Sequence, residues 1–186
     1  MMQKLWLKKP KLNYSKNVFD IVQFGSSVFE ASKPNDIDIA IIFNKIPVKE
    51  QLEQAQLIKK QIQKISELPI HITSFDLYSF FDKANFAKEG ILFYGKSIIS
   101  GGYFANKLGL TPVIQISYIL KDLKKKDKIR LNYMLNGRQG EYGLLREYKG
   151  ELVKPGLIEI SPEYEEIFVS SIKTFTQNFN SKRLLY

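Results

Sequence analysis

The chain has 186 residues, of which 28 are basic and 19 acidic, so its formal net charge at pH 7 is +9. With 44% hydrophobic residues this composition is typical of a folded globular protein and excludes the collagen, coiled-coil and disordered classes. The lack of cysteine excludes disulfides and thiolate zinc sites, and with a single histidine it leaves carboxylates as the natural metal ligands. Residues 1–11 are basic without the apolar stretch of a secretory signal, and no run is long enough to cross a membrane, so we expect a cytoplasmic protein with no membrane partner.

Short apolar runs and helical spacing alternate through the first half of the chain. The predicted succession is a strand at Val18–Phe24, a strand at Ile37–Phe43, a helix at Gln51–Ile65, a strand at Pro69–Thr73, a helix from Leu77 to Ala87 and a strand at Ile91–Tyr94. This order predicts an α+β fold class with α/β character, in which a mixed β-sheet is flanked by helices. We assign it to a first domain, residues 1–110.

The second half, residues 111–186, is predicted to be a smaller, basic α+β region. It contains a predicted strand at Val113–Leu120, a helix at Asp127–Asn136 stopped by Gly137, a strand-like segment at Leu144–Ile160, and a final helix that begins at Ser161-Pro162 with an apolar stripe running to Phe179. Its candidate nucleic-acid-binding residues are Lys124, Lys125, Lys126, Lys128, Arg130 and Arg138. The alternative interpretation is a face of solvated lysines.

Two aspartates stand at the head of the second predicted strand, after a glycine-serine turn. Side chains alternate along a strand, so Asp36 and Asp38 share one face while Ile37 points to the other. Two like charges placed so close are unfavourable unless a cation or solvent neutralises them. Magnesium binds through one or two carboxylates and completes its shell with water and substrate phosphates. Gly25 and Ser26, at the end of the preceding strand, offer backbone N–H groups and a hydroxyl to those phosphates.

This combination, Phe24-Gly25-Ser26 followed after nine residues by Asp36-Ile37-Asp38, resembles the signature of the nucleotidyltransferase superfamily that includes DNA polymerase beta. The resemblance covers roughly residues 17–100 and is closest to the minimal nucleotidyltransferases of prokaryotes. It implies transfer of a nucleoside monophosphate from an NTP to a hydroxyl or similar acceptor, with release of pyrophosphate. The basic second half is expected to present the acceptor, for which RNA is the candidate. It also implies that Gly25 and Ser26 hold the triphosphate, and that Asp36 and Asp38 are catalytic and bind Mg²⁺ or Mn²⁺. Lys33, in the intervening loop, is a further candidate for contacting the triphosphate, against the alternative of an exposed loop lysine.

The chain departs from the family at the position of the usual third carboxylate, where the third strand carries His71. By the alternation of side chains His71 faces away from Ile70 and Ile72, and the resemblance implies that this is the metal side. There His71 is a candidate catalytic residue, as a metal ligand or a general base; the alternative is a hydrogen-bonded polar residue without a chemical role. Asp76 competes as the third acid, but its spacing from Thr73 and its place before the next helix favour capping. Glu30 lies in the loop before the acid pair and is expected to face solvent.

Two other interpretations stay open, the first because of the missing carboxylate and the second because the small proteins that this chain resembles often work beside a second helical protein. The first is a catalytically weak or inactive module of the same fold that binds nucleotide or RNA. The second is an antitoxin-like component that acts with a partner protein, and a homodimer is a further expectation for the assembly.

Overall fold

The chain folds as two units, Met1–Thr111 and Pro112–Tyr186. The computed structural model describes residues 4–29, 32–139 and 141–186. Each unit combines helices with a β-sheet, so the predicted α+β fold class is confirmed. Among the described residues, none of the helices combines the length and the apolar composition needed to cross a bilayer.

The first unit is built on a mixed sheet with the strand order β3-β2-β1-β4. Its strands are β1 (Val18–Phe24), β2 (Ile37–Phe43), β3 (Ile70–Asp76) and β4 (Lys96–Ser97). Its helices are α1 (Leu5–Lys8), α2 (Val48–Gln63), α3 (Leu77–Phe81), α4 (Ala87–Tyr94) and α5 (Phe104–Lys107). Strand β1 is antiparallel to β2 and β4, whereas β2 and β3 run parallel.

Strand β2 lies in the middle of the sheet and is covered on both faces. Ile37, Ile39 and Ile41 pack in one core cluster with side chains of α2. Ala40 and Ile42 belong to a second cluster, with side chains of α3, α4 and α5. All five of these residues are fully buried, and burial of each isoleucine contributes on the order of 2 kcal/mol to folding. The packing therefore fixes β2, and with it any side chain at its head.

The predicted bounds of β1 and β2 are those of the structure, but the prediction is wrong further along. The helix predicted from Leu77 to Ala87 ends at Phe81 as α3; a turn follows, in which Asp82 accepts a hydrogen bond from the Ala84 N–H, and α4 begins only at Ala87. The segment Ile91–Tyr94, predicted as a strand, is the end of α4. A short apolar run has the same composition in a buried helix turn and in a strand, so its pattern does not distinguish them.

The second unit contains an antiparallel sheet with the strand order β6-β7-β5-β8. Its strands are β5 (Pro112–Tyr118), β6 (Glu151–Lys154), β7 (Leu157–Ile160) and β8 (Phe179–Leu185). Its helices are α6 (Lys125–Asn136), α7 (Leu144–Glu147) and α8 (Glu165–Lys173). Leu131 and Leu135 of α6 pack with Phe168 and Ile172 of α8 in the core of this unit.

Two predictions for this unit are corrected. The segment Leu144–Ile160 begins as the helix α7 and continues as the hairpin of β6 and β7. The apolar stripe of the final helix contributes Phe168 and Ile172 to the core, as expected, but α8 ends at Lys173. Phe179 instead begins β8, a strand at the edge of the sheet in which no residue is fully buried and the sequence shows no regular apolar pattern.

Candidate metal centre

Three titratable side chains, Asp36, Asp38 and His71, meet at one edge of the first sheet. Asp36 directly precedes β2, Asp38 is its second residue, and His71 is the second residue of β3. In the parallel pairing of β2 and β3, Asp38 and His71 are direct neighbours, and neighbours across a ladder share a face of the sheet. The register of two strands, fixed by buried isoleucines, thus brings the two carboxylates to the imidazole.

The distances suit a single cation. The Nδ1 atom of His71 lies 3.3 Å from Oδ2 of Asp36 and 3.9 Å from Oδ1 of Asp38. Each of the three residues offers one ligand atom, and these three atoms lie within 4.8 Å of one another. Atoms that occupy adjacent positions around one ion at about 2.1 Å are about 3 Å apart, so small side-chain rotations close the site. The donor set, two carboxylates and an imidazole, fits a divalent cation.

The electrostatics of these three side chains favour a positive charge beside them. Burial raises the pKa of the Asp38 carboxyl above its ordinary value of 3.8, the charge on Asp36 adds to the rise, and His71 opposes it. The side chains of both aspartates are about a third exposed and that of His71 is 64% exposed. The carboxylates are therefore partly desolvated yet open to solvent on one side, from which an ion or a substrate can reach them.

Gly25 lies directly against the Asp38 carboxylate. It follows β1, has a φ of +71°, and begins the short 3-10 turn Gly25–Val28. A Cβ atom at this position would stand 2.5 Å from Oδ2 of Asp38, which is closer than real contacts allow. Only glycine permits both the left-handed backbone and the approach of the turn to the carboxylate. The predicted glycine-serine turn therefore does adjoin the acid pair.

The serines of the turn differ in what they do. The buried Ser27 accepts a hydrogen bond at 2.9 Å from Nε2 of Gln23 and donates one at 3.1 Å to the carbonyl oxygen of Phe24, so it holds the turn onto β1. Ser26, the predicted phosphate contact, is exposed. Gln23 and Ser27 are not among the predicted site residues, although a glutamine inside the apolar run of β1 is a signal for an internal hydrogen bond.

The sequence offers three other acidic or basic candidates, Lys33, Glu30 and Asp76. Lys33 is exposed in the loop before Asp36, and Glu30 lies outside the described residues. Asp76 is at the opposite end of β3 from His71, about 16 Å away at the rise of a strand. It caps α3: its Oδ1 accepts a hydrogen bond at 2.7 Å from the Ser79 N–H, and the Ser79 hydroxyl accepts one at 3.0 Å from the Asp76 N–H. Capping is thus its role, although with Ser79 and not with Thr73.

The basic candidates of the second unit surround α6. Lys124, Lys125 and Lys126 are exposed at its start, and Lys128 is half-buried. The Arg130 guanidinium lies 3.8 Å from an Asp127 carboxylate oxygen and over the ring of Phe175. The guanidinium of Arg138 lies 5.0 Å from the ring centre of Tyr133. The lysines therefore remain open to a polyanion, whereas both arginines already stack on aromatic rings of their own unit.

Comparison of the chain with protein-family models and with curated proteins gives no match. The function of the protein is therefore inferred from the geometry of the candidate centre.

Proposed function

We propose that the protein is a divalent-metal-dependent nucleotidyltransferase that moves a nucleoside monophosphate from an NTP to a hydroxyl acceptor. The observation that carries the proposal is that the carboxylate of Asp38, grouped with that of Asp36, lies against the half-buried Gly25 turn, so that a cation held by the two aspartates would stand next to this turn. In such a centre the carboxylates bind the cation, and the backbone N–H groups of the turn bind the polyphosphate. The same proposal places the protein in the cytoplasm, where NTPs are the abundant polyphosphates.

The residues of the centre have separate tasks in this reaction. A bound divalent cation supplies charge neutralisation to the phosphate oxygens and favours ionisation of the attacking hydroxyl. Asp36 and Asp38 hold the cation, and the backbone at Gly25 and Ser26 orients the triphosphate. The acceptor oxygen forms a bond to the α-phosphorus, the bond from that phosphorus to the bridging oxygen breaks, and pyrophosphate leaves while the hydroxyl proton passes to water. Positioning and electrostatics supply most of the acceleration in such a reaction, and these are the two tasks assigned to this donor set.

The test is transfer of label from an α-labelled NTP, with each of the four NTPs supplied in turn together with Mg²⁺ or Mn²⁺ and with RNA or protein acceptors. We expect labelled acceptor and pyrophosphate from the wild-type protein, and loss of both in Asp36→Asn and Asp38→Asn. Asp82→Asn is the matched control, because Asp82 is an exposed aspartate in the turn after α3. Transfer that persists in both site variants contradicts the proposal.

His71 favours a second candidate function, a module that binds nucleotide or RNA without efficient transfer. Its imidazole stands beside the carboxylates at the place of a third acid and carries no permanent negative charge. This alternative predicts saturable NTP binding that needs Asp36 and Asp38 but yields no pyrophosphate. The labelled-NTP experiment separates the two functions.

RNA is the acceptor that the exposed lysines before and within α6 favour. For single strands, the logarithm of affinity falls by about 0.7 per phosphate contact for each tenfold rise in salt. Replacing Lys124, Lys125 and Lys126 with glutamine is expected to flatten this slope by about 2. The matched control replaces Lys59, Lys60 and Lys64 of the first unit and leaves the slope unchanged. Equal slopes for wild type and the α6 variant remove RNA contact at this face.

A further inference from the structure

The only histidine of the chain, His71, points one ring nitrogen directly at the acid pair. Its neighbour across the β2–β3 ladder is Asp38, and its Nδ1 atom is 3.3 Å from Asp36 and 3.9 Å from Asp38. The side chain is 64% exposed, so the ring is free to make the small rotation that coordination requires. The position of the nitrogen is therefore that of a third ligand.

We infer that His71 binds the metal through Nδ1 and that the centre consequently prefers Mn²⁺ or another first-row transition ion over Mg²⁺. The inference rests on the proposed metal site and specifies the identity of its cation. Magnesium takes oxygen ligands almost exclusively, whereas imidazole nitrogen suits the more polarisable transition ions. Replacing a third carboxylate with imidazole weakens the site for Mg²⁺ more than for Mn²⁺.

This assignment also limits what else His71 does. A nitrogen that donates its lone pair to a metal has none left to accept a proton, so Nδ1 is not the general base of the reaction. The remaining ring nitrogen, Nε2, then carries the hydrogen and faces away from the ion. His71 is thus a ligand in the working centre.

A single histidine makes the inference directly measurable. The untagged full-length chain is loaded with Mn²⁺ in a buffer free of imidazole, and pulsed EPR is used to look for modulation by a ¹⁴N nucleus coupled to the ion. Any imidazole nitrogen detected must belong to His71, because the chain has no other histidine. We expect this modulation in the wild-type protein and its loss in His71→Ala. Bound Mn²⁺ without histidine modulation in the wild-type protein overturns the inference.

Selectivity is measured by titrating Mg²⁺ and Mn²⁺ into the wild type, His71→Asp and His71→Ala by calorimetry. Loss of a ligand is expected to weaken Mn²⁺ binding in His71→Ala by about tenfold or more. His71→Asp restores an oxygen ligand, so the ratio of Mn²⁺ to Mg²⁺ affinity should fall markedly below that of the wild type. An unchanged ratio refutes the role of His71 and leaves the aspartate site standing. Binding that is equally weak in the wild type and in Asp36→Asn refutes the metal site itself, and with it the proposed function.

Discussion

Gly25 offers the sharpest single perturbation of the candidate centre. In Gly25→Ala the new Cβ would meet Oδ2 of Asp38 at 2.5 Å, whereas ordinary contact begins at 3.4 Å, so the carboxylate must retreat by about 0.9 Å. Coordination distances tolerate deviations of about 0.2 Å. We therefore expect Mn²⁺ affinity to fall by about tenfold to a hundredfold, comparable with the loss of a supporting ligand contact.

The same substitution has a modest effect on stability. The left-handed backbone at φ +71° disfavours alanine by about 1–2 kcal/mol, and the lower entropy of the unfolded alanine chain offsets part of this. The Asp38 side chain is about a third exposed and moves into solvent without breaking the core. We expect a net loss of about 1 kcal/mol in the free energy of unfolding, measured by urea denaturation without metal.

Two other glycines separate the effects. Gly109 has a φ of +75° with nothing near the position of a Cβ, so Gly109→Ala carries the backbone penalty alone and should leave Mn²⁺ affinity unchanged. Gly90, inside α4, is also free of close neighbours, and Gly90→Ala should stabilise the protein by about 0.5–1 kcal/mol. If Gly25→Ala binds Mn²⁺ as tightly as Gly109→Ala does, the argument that the turn supports the carboxylate is refuted.

Three further predictions concern charges in the first unit. Without metal, Asp38→Asn should raise the free energy of unfolding at pH 7 by less than about 1 kcal/mol, because the raised pKa of Asp38 means that its ionised form destabilises the fold. This gain should vanish as the pH falls towards 3.8, and a gain that does not depend on pH contradicts this cause. Lys107→Met removes the partner of the fully buried Asp20, whose carboxylate lies 3.3 Å from the Lys107 ammonium, and should lower the free energy of unfolding in urea by about 2–3 kcal/mol. Part of this loss should be recovered when Lys107→Met is combined with Asp20→Asn, and additive effects of the two substitutions refute the pairing. Asp76→Ala should lower the free energy of unfolding by about 1 kcal/mol because it removes the N-cap of α3, whereas Asp76→Asn should keep most of this stability. Equal losses in the two variants argue against capping.

The parts of the fold that the sequence predicted are those with a clear apolar pattern. Strands β1 and β2 are buried and short, so most of their residues are apolar, although β1 includes Asp20 and Gln23 and β2 includes Asp38 near its start. The alternation of β3 turns His71 away from Ile70 and Ile72, but the family resemblance was needed to predict that its face is the face of Asp38, as the β2–β3 pairing has it. Local periodicity therefore predicted the strands of the candidate centre, and the resemblance predicted how they are arranged.

Three of the missed features depend on contacts between distant residues. Strand β4 has only two residues and is defined by pairing with β1, and β8 owes its place to pairing with β5. The need for glycine at position 25 lies in the approach of a side chain thirteen residues away. The other missed contacts are local, because Gln23 and Ser27 are four residues apart and Asp76 and Ser79 are three, and here the polar residues themselves were the available signal.

The central claim is that Asp36, Asp38 and the Gly25 turn together bind a divalent cation and a polyphosphate. The most direct test is a crystal structure of the protein with Mn²⁺ and a non-hydrolysable NTP, with the metal located by anomalous scattering. We predict an anomalous peak at coordination distance from both carboxylates and from Nδ1 of His71, with the triphosphate reaching the backbone of Gly25 and Ser26. A metal bound elsewhere, or a triphosphate held away from this turn while the two carboxylates diverge, would contradict the account.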